Sequence, residues 1–361
     1  MRHLQDLLAW FDRHRRDLPW RRTRDPYAVW ISEVMLQQTR VETVLPYYKR
    51  FLERFPTVEA LASAEVDQAL ALWSGLGYYR RARQLHAAAR RIVESGQGFP
   101  RTLEGLQLLP GIGSYTAAAV ASIAFGVPAP VMDGNVERVM SRWLALGEDP
   151  RSGGARRRLL AAAEALLDPE RPGDSNQALM ELGATICTPR RPKCLLCPIA
   201  SGCRAAAEGD PERYPAPRVK REAERRRLLV AVVEDASGVL LFRRPDDSEL
   251  LAGTWELPWV EEKEGDPEAA LAARYGGRWA LGPRIAEVRH GITYRDLEVA
   301  VHRAELAWSG AVREGAEAGW FDESGRSGLA LSSLVGKVLR ATSPPAPGGP
   351  PARRSPSRRR G

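Results

Sequence analysis

Lysine is scarce in this 361-residue chain: only five of its 53 basic residues are Lys, and the rest are Arg. Long apolar runs are missing. None reaches the roughly 18 residues that a membrane span needs. The opening residues Met1–Asp6 lack the apolar core of an export signal, so the sequence predicts a cytoplasmic protein with no membrane partner. Cysteine is confined to four positions, all within residues 187–203, which excludes a disulfide framework spread over a secreted fold. What remains, 44% hydrophobic and 27% charged residues, is ordinary for a globular protein of two domains.

Charge divides the chain. The net +8 resolves into +9 for residues 1–230, −6 for 231–340 and +5 for 341–361. A basic first module suits a polyanion, and its phosphate contacts fall mainly to Arg.

Residues 1–208 read as helical, with apolar stripes such as Leu4, Leu7, Leu8 and Phe11 and an Ala-dominated run at Tyr115–Phe125. Breaks are expected at Pro46, Pro56, Gly75, Gly96–Gly98, Pro100 and Pro110. Residues 209–227, with Pro211, Pro215 and Pro217 among basic residues, read as a linker. Residues 228–340 change pattern. Leu228–Val233, Val239–Phe242 and Leu297–Val301 suggest strands, and Pro267–Tyr275 a helix, so this module is α+β. Residues 341–361 are rich in Pro and Arg without large apolar side chains, and are expected to be disordered.

The spacing Cys187-x6-Cys194-x2-Cys197-x5-Cys203 forms a compact loop with Pro189, Pro192 and Pro198. Structural zinc usually takes two C-x2-C pairs set well apart, so one iron–sulfur cluster is favoured over zinc. Leu109-Pro110-Gly111-Ile112-Gly113 closes one helix and opens another at Ser114. Gly111 and Gly113 allow close approach, and the free amides of the new helix can hold a phosphate. Such a hairpin grips DNA backbone without reading sequence.

Hairpin, downstream Asp133 and cysteine loop together resemble the helix–hairpin–helix superfamily of base-excision DNA glycosylases. Trp30–Thr39 and Gly75–Tyr79 are similar to the MutY family, which removes adenine opposite 8-oxoguanine. The resemblance implies an all-α catalytic domain with one [4Fe–4S] cluster, then an α+β Nudix-like domain. It also implies a monomer acting on double-stranded DNA.

Glu33 lies among Trp30, Ile31, Val34 and Met35. Such surroundings disfavour its charged form and suit a general acid near neutral pH. Asp133 precedes a helix start, where it can cap, and a carboxylate there could also stabilise an oxocarbenium-like sugar. The resemblance implies that Glu33 protonates adenine, that Asp133 stabilises the sugar cation, and that Tyr115 and Asn135 support them. Relatives that also cleave the strand carry Lys where Tyr115 stands, and a phenol forms no Schiff base, so a monofunctional enzyme is expected. By resemblance, Gln38 and Tyr78 wedge into the base stack with Leu36 and Gln37 nearby, and Arg16, Trp20 and Arg21 line the adenine pocket. Arg190, Arg191 and Lys193 of the cysteine loop are expected to meet DNA.

Gly253–Pro258 has Nudix character, but the helix that should carry metal-binding glutamates reads Glu268-Ala269-Ala270-Leu271-Ala272-Ala273-Arg274-Tyr275. Diphosphate hydrolysis is therefore not expected, and the implied task is sensing 8-oxoguanine. The Phe-Ser-His loop common in MutY proteins is replaced by His290-Gly291-Ile292-Thr293-Tyr294, leaving Thr293 and Tyr294 as lesion-reading candidates.

Overall fold

Apolar periodicity shapes the first 208 residues into helices. The computed structural model describes residues 2–216, 222–248, 250–292, 294–307 and 317–342. The helices are α1 (Arg2–His14), α2 (Pro26–Leu36), α3 (Val41–Arg54), α4 (Val58–Ala62), α5 (Val66–Leu72) and α6 (Arg80–Ser95). They continue with α7 (Leu103–Gln107), α8 (Ser114–Phe125), α9 (Gly134–Leu144), α10 (Gly153–Glu164), α11 (Pro172–Thr185) and α12 (Arg204–Ala207). No strand occurs among the described residues of this part. The chain forms two compact units that divide around residue 221.

α2 and α8 are the innermost helices of the first unit. Residues Tyr27–Met35 of α2 are all buried, as are Thr116–Ile123 of α8. The alanines at 117, 118, 119 and 121 keep α8 slim, so α2 and α11 both pack against it. At Gly173 of α11 an added Cβ would stand 2.7 Å from the Ile123 Cα, so the approach requires glycine there. Pro46 does not break the chain as expected but lies within α3. The hydrogen bond it forgoes concerns Glu42 in the first turn, and burial of Val44, Tyr48 and Phe51 outweighs the cost.

The second unit holds β1 (Glu224–Val232), β2 (Glu234–Asp235), β3 (Gly238–Arg243), β4 (Trp255–Glu256), β5 (Trp259–Glu261), β6 (Arg278–Ile292), β7 (Arg295–Ala307) and β8 (Ala318–Phe321). α13 (Pro267–Tyr275), α14 (Glu323–Arg326) and α15 (Ser333–Thr342) complete it. One sheet runs β5-β1-β7-β6, with β1 and β7 parallel; the other joins β2, β3 and β4, with β8 also on β3. Its core includes Leu240, Phe242, Val260, Leu271, Tyr275 and Trp279.

Two further sequence expectations change, and one strand is new. β1 begins at Glu224, inside the expected linker, because its charged residues are satisfied in the sheet: Arg226 pairs with Glu224 and Glu261. β6 is a strand with no counterpart among the sequence expectations, and it contains Gly282 and Pro283. It is an edge strand with register shifts between Leu281 and Ala286, where proline is tolerated. α15 carries order through Thr342, two residues into the expected disordered tail; the rest of that tail lies outside the described residues.

Candidate active site and cluster loop

Glu33 is 4% exposed on α2, where the face it occupies meets α8. Tyr115, in the first turn of α8, donates its hydroxyl to Glu33 Oε2 at 2.5 Å. Burial pushes the Glu33 carboxyl up, the Tyr115 hydrogen bond opposes this, and the charge of Asp133 adds to the rise. The balance stands at about 7. Tyr115 itself is pushed well above its ordinary range by burial and by the two carboxylates. Arg21 acts on Glu33 in the opposite sense, favouring the anion.

Asp133 caps α9. Its Oδ1 accepts from the backbone N–H of Asn135 at 2.9 Å and Val136 at 2.7 Å, while Oδ2 accepts from Asn135 Nδ2 at 3.0 Å. Though engaged as a cap, the carboxylate still raises Glu33 and Tyr115. Burial pushes Asp133 up, and its hydrogen bonds work against that. The segment leading to it is fastened by fully buried Asn176. Its amide donates to the Ala129 carbonyl and Ser122 Oγ at 2.8 Å each and accepts from Val131 N–H at 3.0 Å.

Arg16 and Arg21 both bind Glu181 of α11, a carboxylate whose side chain is 1% exposed. Burial would raise Glu181, but the two guanidiniums overcome it and hold the carboxyl at about 2. Trp20 is buried and meets the Tyr48 ring edge-on.

Gly111 stands at φ 75°, and Ile112 N–H closes a turn on the Leu109 carbonyl. Gly113 caps α8 without a side chain, leaving the first-turn amides open to an anion. Gln37 Nε2 donates to Thr116 Oγ1 at 3.1 Å, tying the end of α2 to α8; Leu36 is half-buried beside it. Gln38 is exposed, and Tyr78 is 48% exposed. Both have positive φ, 57° and 52°, which costs a non-glycine residue about 1–3 kcal/mol. Arg81, which sequence reasoning missed, lies behind both turns; burial lowers its guanidinium to about 10. Only its place three residues after Tyr78 could have flagged it.

The four cysteines line one loop. Burial raises Cys194, Cys197 and Cys203, with Cys197 pushed up to about 12, so bare thiolates are disfavoured there. Backbone N–H groups of Ile199, Ala205 and Ala206 aim at Cys197 and Cys203, and Arg142 Nη1 donates to Cys187 Sγ at 3.4 Å. Thiols that repel one another as anions, ringed by donors, fit a cationic cluster. Arg138 links this loop to Asn135: its Nε donates to the Cys187 carbonyl at 2.8 Å and its Nη2 to Asn135 Oδ1 at 3.0 Å. Arg190, Arg191 and Lys193 are exposed.

In the second unit, Glu268 is the one carboxylate of α13, and it accepts from Leu281 N–H at 2.8 Å. Glu256 is held by Arg244 and by Trp259 Nε1. Thr293 lies outside the described residues. Tyr294 follows at the β6–β7 turn, its carbonyl accepting from Glu224 N–H at 2.8 Å. His290 is buried, and that burial, aided by Lys337, lowers it. A cavity of about 120 Å³ opens in this unit, mostly apolar, with Arg226, Arg244 and Arg295 at its wall engaged by Glu224, Glu256 and Glu261.

Comparison with known proteins agrees with this geometry. Residues 31–164 match the HhH-GPD superfamily base excision DNA repair protein model. Residues 187–203 match the iron–sulfur binding domain of endonuclease III, and residues 229–341 a NUDIX domain. The chain is 40% identical to an adenine DNA glycosylase of Mus musculus, covering 93% of this chain and 76% of that one. It is 38% identical to one of Homo sapiens, covering 95% and 74%. A solved thermostable thymine-DNA glycosylase is 32% identical with a TM-score of 0.52, over 57% of this chain and 95% of that one. One [4Fe–4S] cluster follows from the second match, whose residues include Cys187, Cys194, Cys197 and Cys203, the thiols that would hold it. A helical glycosylase domain, its cluster loop and a Nudix-like domain therefore make this chain a member of the adenine DNA glycosylase family, hydrolases that remove adenine in base excision repair.

Proposed function

We propose that the enzyme removes adenine paired with 8-oxoguanine (or guanine) and leaves an intact strand bearing an abasic site. Adenine leaves the sugar as a neutral base only if its ring is protonated. Glu33, half-protonated near pH 7, is suited to supply that proton. The bond then breaks toward an oxocarbenium-like sugar. Asp133, anchored by three hydrogen bonds, offers its negative charge to that cation without moving. Glu33, now an anion steadied by Tyr115, accepts a proton from water as the hydroxyl reaches the sugar, returning to its starting state. Tyr115 has no amine to form a Schiff base, so the strand is not cut.

The observation that carries this reading is the shielded Glu33 carboxyl, bonded to Tyr115 and within electrostatic reach of Asp133.

Adenine lies inside a duplex and must be turned out. Gln38 and Tyr78 fill the gap, with Leu36 and Gln37 beside them, and Arg16, Trp20 and Arg21 border the base. Gly111, Gly113, Arg190, Arg191 and Lys193 hold phosphates. Residues 1–208 carry the chemistry, and residues 228–340 read the oxidised partner through Thr293 and Tyr294 at the β6–β7 turn. The cluster, when bound, shapes the basic loop and supplies no redox step. The protein works as a monomer in the cytoplasm, on chromosomal DNA.

A panel of duplexes tests this: adenine opposite 8-oxoguanine, adenine opposite guanine, thymine opposite guanine, and thymine glycol. Strand breaks are expected only for the adenine duplexes, and only after heating in alkali. Breaks confined to the thymine substrates would end the adenine reading. Breaks without alkali would end the monofunctional one.

A further inference from the structure

Gln38 and Tyr78 sit in separate turns, one after α2 ends at Leu36, the other before α6 starts at Arg80. Thr39 N–H closes the first turn on the Leu36 carbonyl at 3.3 Å and Trp73 Nε1 donates to the Gly77 carbonyl of the second at 3.1 Å, but neither bond joins the two turns. One side chain reaches both. Arg81 Nη1 donates to the carbonyls of Val34 at 2.8 Å, Met35 at 3.1 Å and Gln37 at 2.5 Å. Its Nη2 donates to the Gly77 carbonyl at 3.2 Å and Thr39 Oγ1 at 3.3 Å. The guanidinium also lies 5.4 Å from the ring centres of Tyr78 and of Trp73. The residues immediately before Gln38 and Tyr78, and the one after Gln38, thus share one partner. Three residues along α6, Gln84 stands where a Cβ on Gly111 would fall, 2.6 Å away. The helix that holds both turns therefore also abuts the phosphate-binding hairpin.

We propose that Arg81 is a positioning residue for base eversion: it locks the turns of Gln38 and Tyr78 into one rigid pair, so that both side chains enter the duplex together. The proposal rests on reading Gln38 and Tyr78 as the wedge. A helix cap alone would account for the bonds to Val34 and Met35 but not for those to Gly77 and Thr39. Lysine has no planar fork and cannot span both turns.

The test uses the full chain with its cluster loaded and a duplex carrying 2-aminopurine at the target position opposite 8-oxoguanine, whose fluorescence rises on unstacking. Arg81→Lys is expected to lower both the fluorescence rise and the single-turnover excision rate by about tenfold or more. Affinity for a duplex already abasic at that position, which needs no eversion, should stay within about threefold, and the pH profile of excision should keep its shape. Eversion and excision within about twofold of the parent would overturn the proposal, as would an equal loss of affinity for the abasic duplex. Thr39→Val, which removes one half-buried acceptor of the Arg81 guanidinium, decides the matter should Arg81→Lys not fold: reduced eversion supports the clasp, unchanged eversion overturns it. Gln38→Ala and Tyr78→Ala separate the two readings. If they evert adenine normally, the wedge itself falls; if they fail while Arg81→Lys succeeds, only the role of Arg81 does.

Discussion

Tyr115 Oη and Glu33 Oε2 lie 2.5 Å apart, a phenol donating to a buried carboxyl. The bond stabilises the anion, so it lowers a pKa that burial has raised. Tyr115→Phe removes that brake. The basic limb of the single-turnover pH profile, near 7 in the parent, is expected to move upward by about half to one unit. An unmoved or lowered limb would show that the bond does not tune the acid.

Glu33→Gln should separate activity from stability. Excision is expected to fall by about three orders of magnitude or more, while binding to the lesion duplex persists. The folded carboxyl titrates at about 7, above its ordinary 4.5, so the parent loses stability as pH rises from 4.5 to 7. Gln escapes that loss. Its advantage over the parent should be absent near pH 4 and reach about 3 kcal/mol by pH 8, read from denaturant melts. Equal stability at both pH values would place Glu33 in a wetter site.

Glu181→Gln tests the anchoring of the Arg16–Arg21 segment. The substitution leaves two guanidiniums facing a neutral amide, at a cost of about 2–3 kcal/mol, moderated because Arg16 is partly exposed. Glu181 titrates at about 2, below its ordinary 4.5, so its stabilisation is complete above 4.5 and fades as pH falls toward 2. The gap between variant and parent should therefore close over that window. A gap independent of pH would mean packing, not charge, holds the segment.

Much of the candidate site could be named from the sequence because its signals are local. Glu33 announces itself by apolar neighbours on one helix, Asp133 by its place before a helix start, and the cysteines by spacing. Arg81, Asn176 and Glu181 were not legible, because their importance lies in what they reach across the fold: Gln37 from Arg81, Ala129 from Asn176, Arg16 from Glu181. The second unit hid strands for a related reason. Charges in β1 read as linker until β7 and β5 pair them, and β6 carries a glycine and a proline that its edge position tolerates.

Removing iron should weaken DNA binding before it unfolds the helices. The loop from Cys187 to Cys203 holds exposed Arg190, Arg191 and Lys193, and little apolar burial fixes it: of its residues only Ile199 is buried. The helices around Glu33 draw instead on Trp30, Ile31, Met35 and the alanines of α8, all of them outside that loop. Chelation after oxidation is therefore expected to leave helical circular dichroism largely unchanged while affinity for duplex drops. Each phosphate that the protein ceases to neutralise lowers the slope of log affinity against log salt by about 0.9, so three basic residues set free would flatten it by about 2 to 3. An unchanged slope would mean the loop meets no phosphate; a collapse of helicity in step with iron loss would mean the cluster organises the fold rather than the loop.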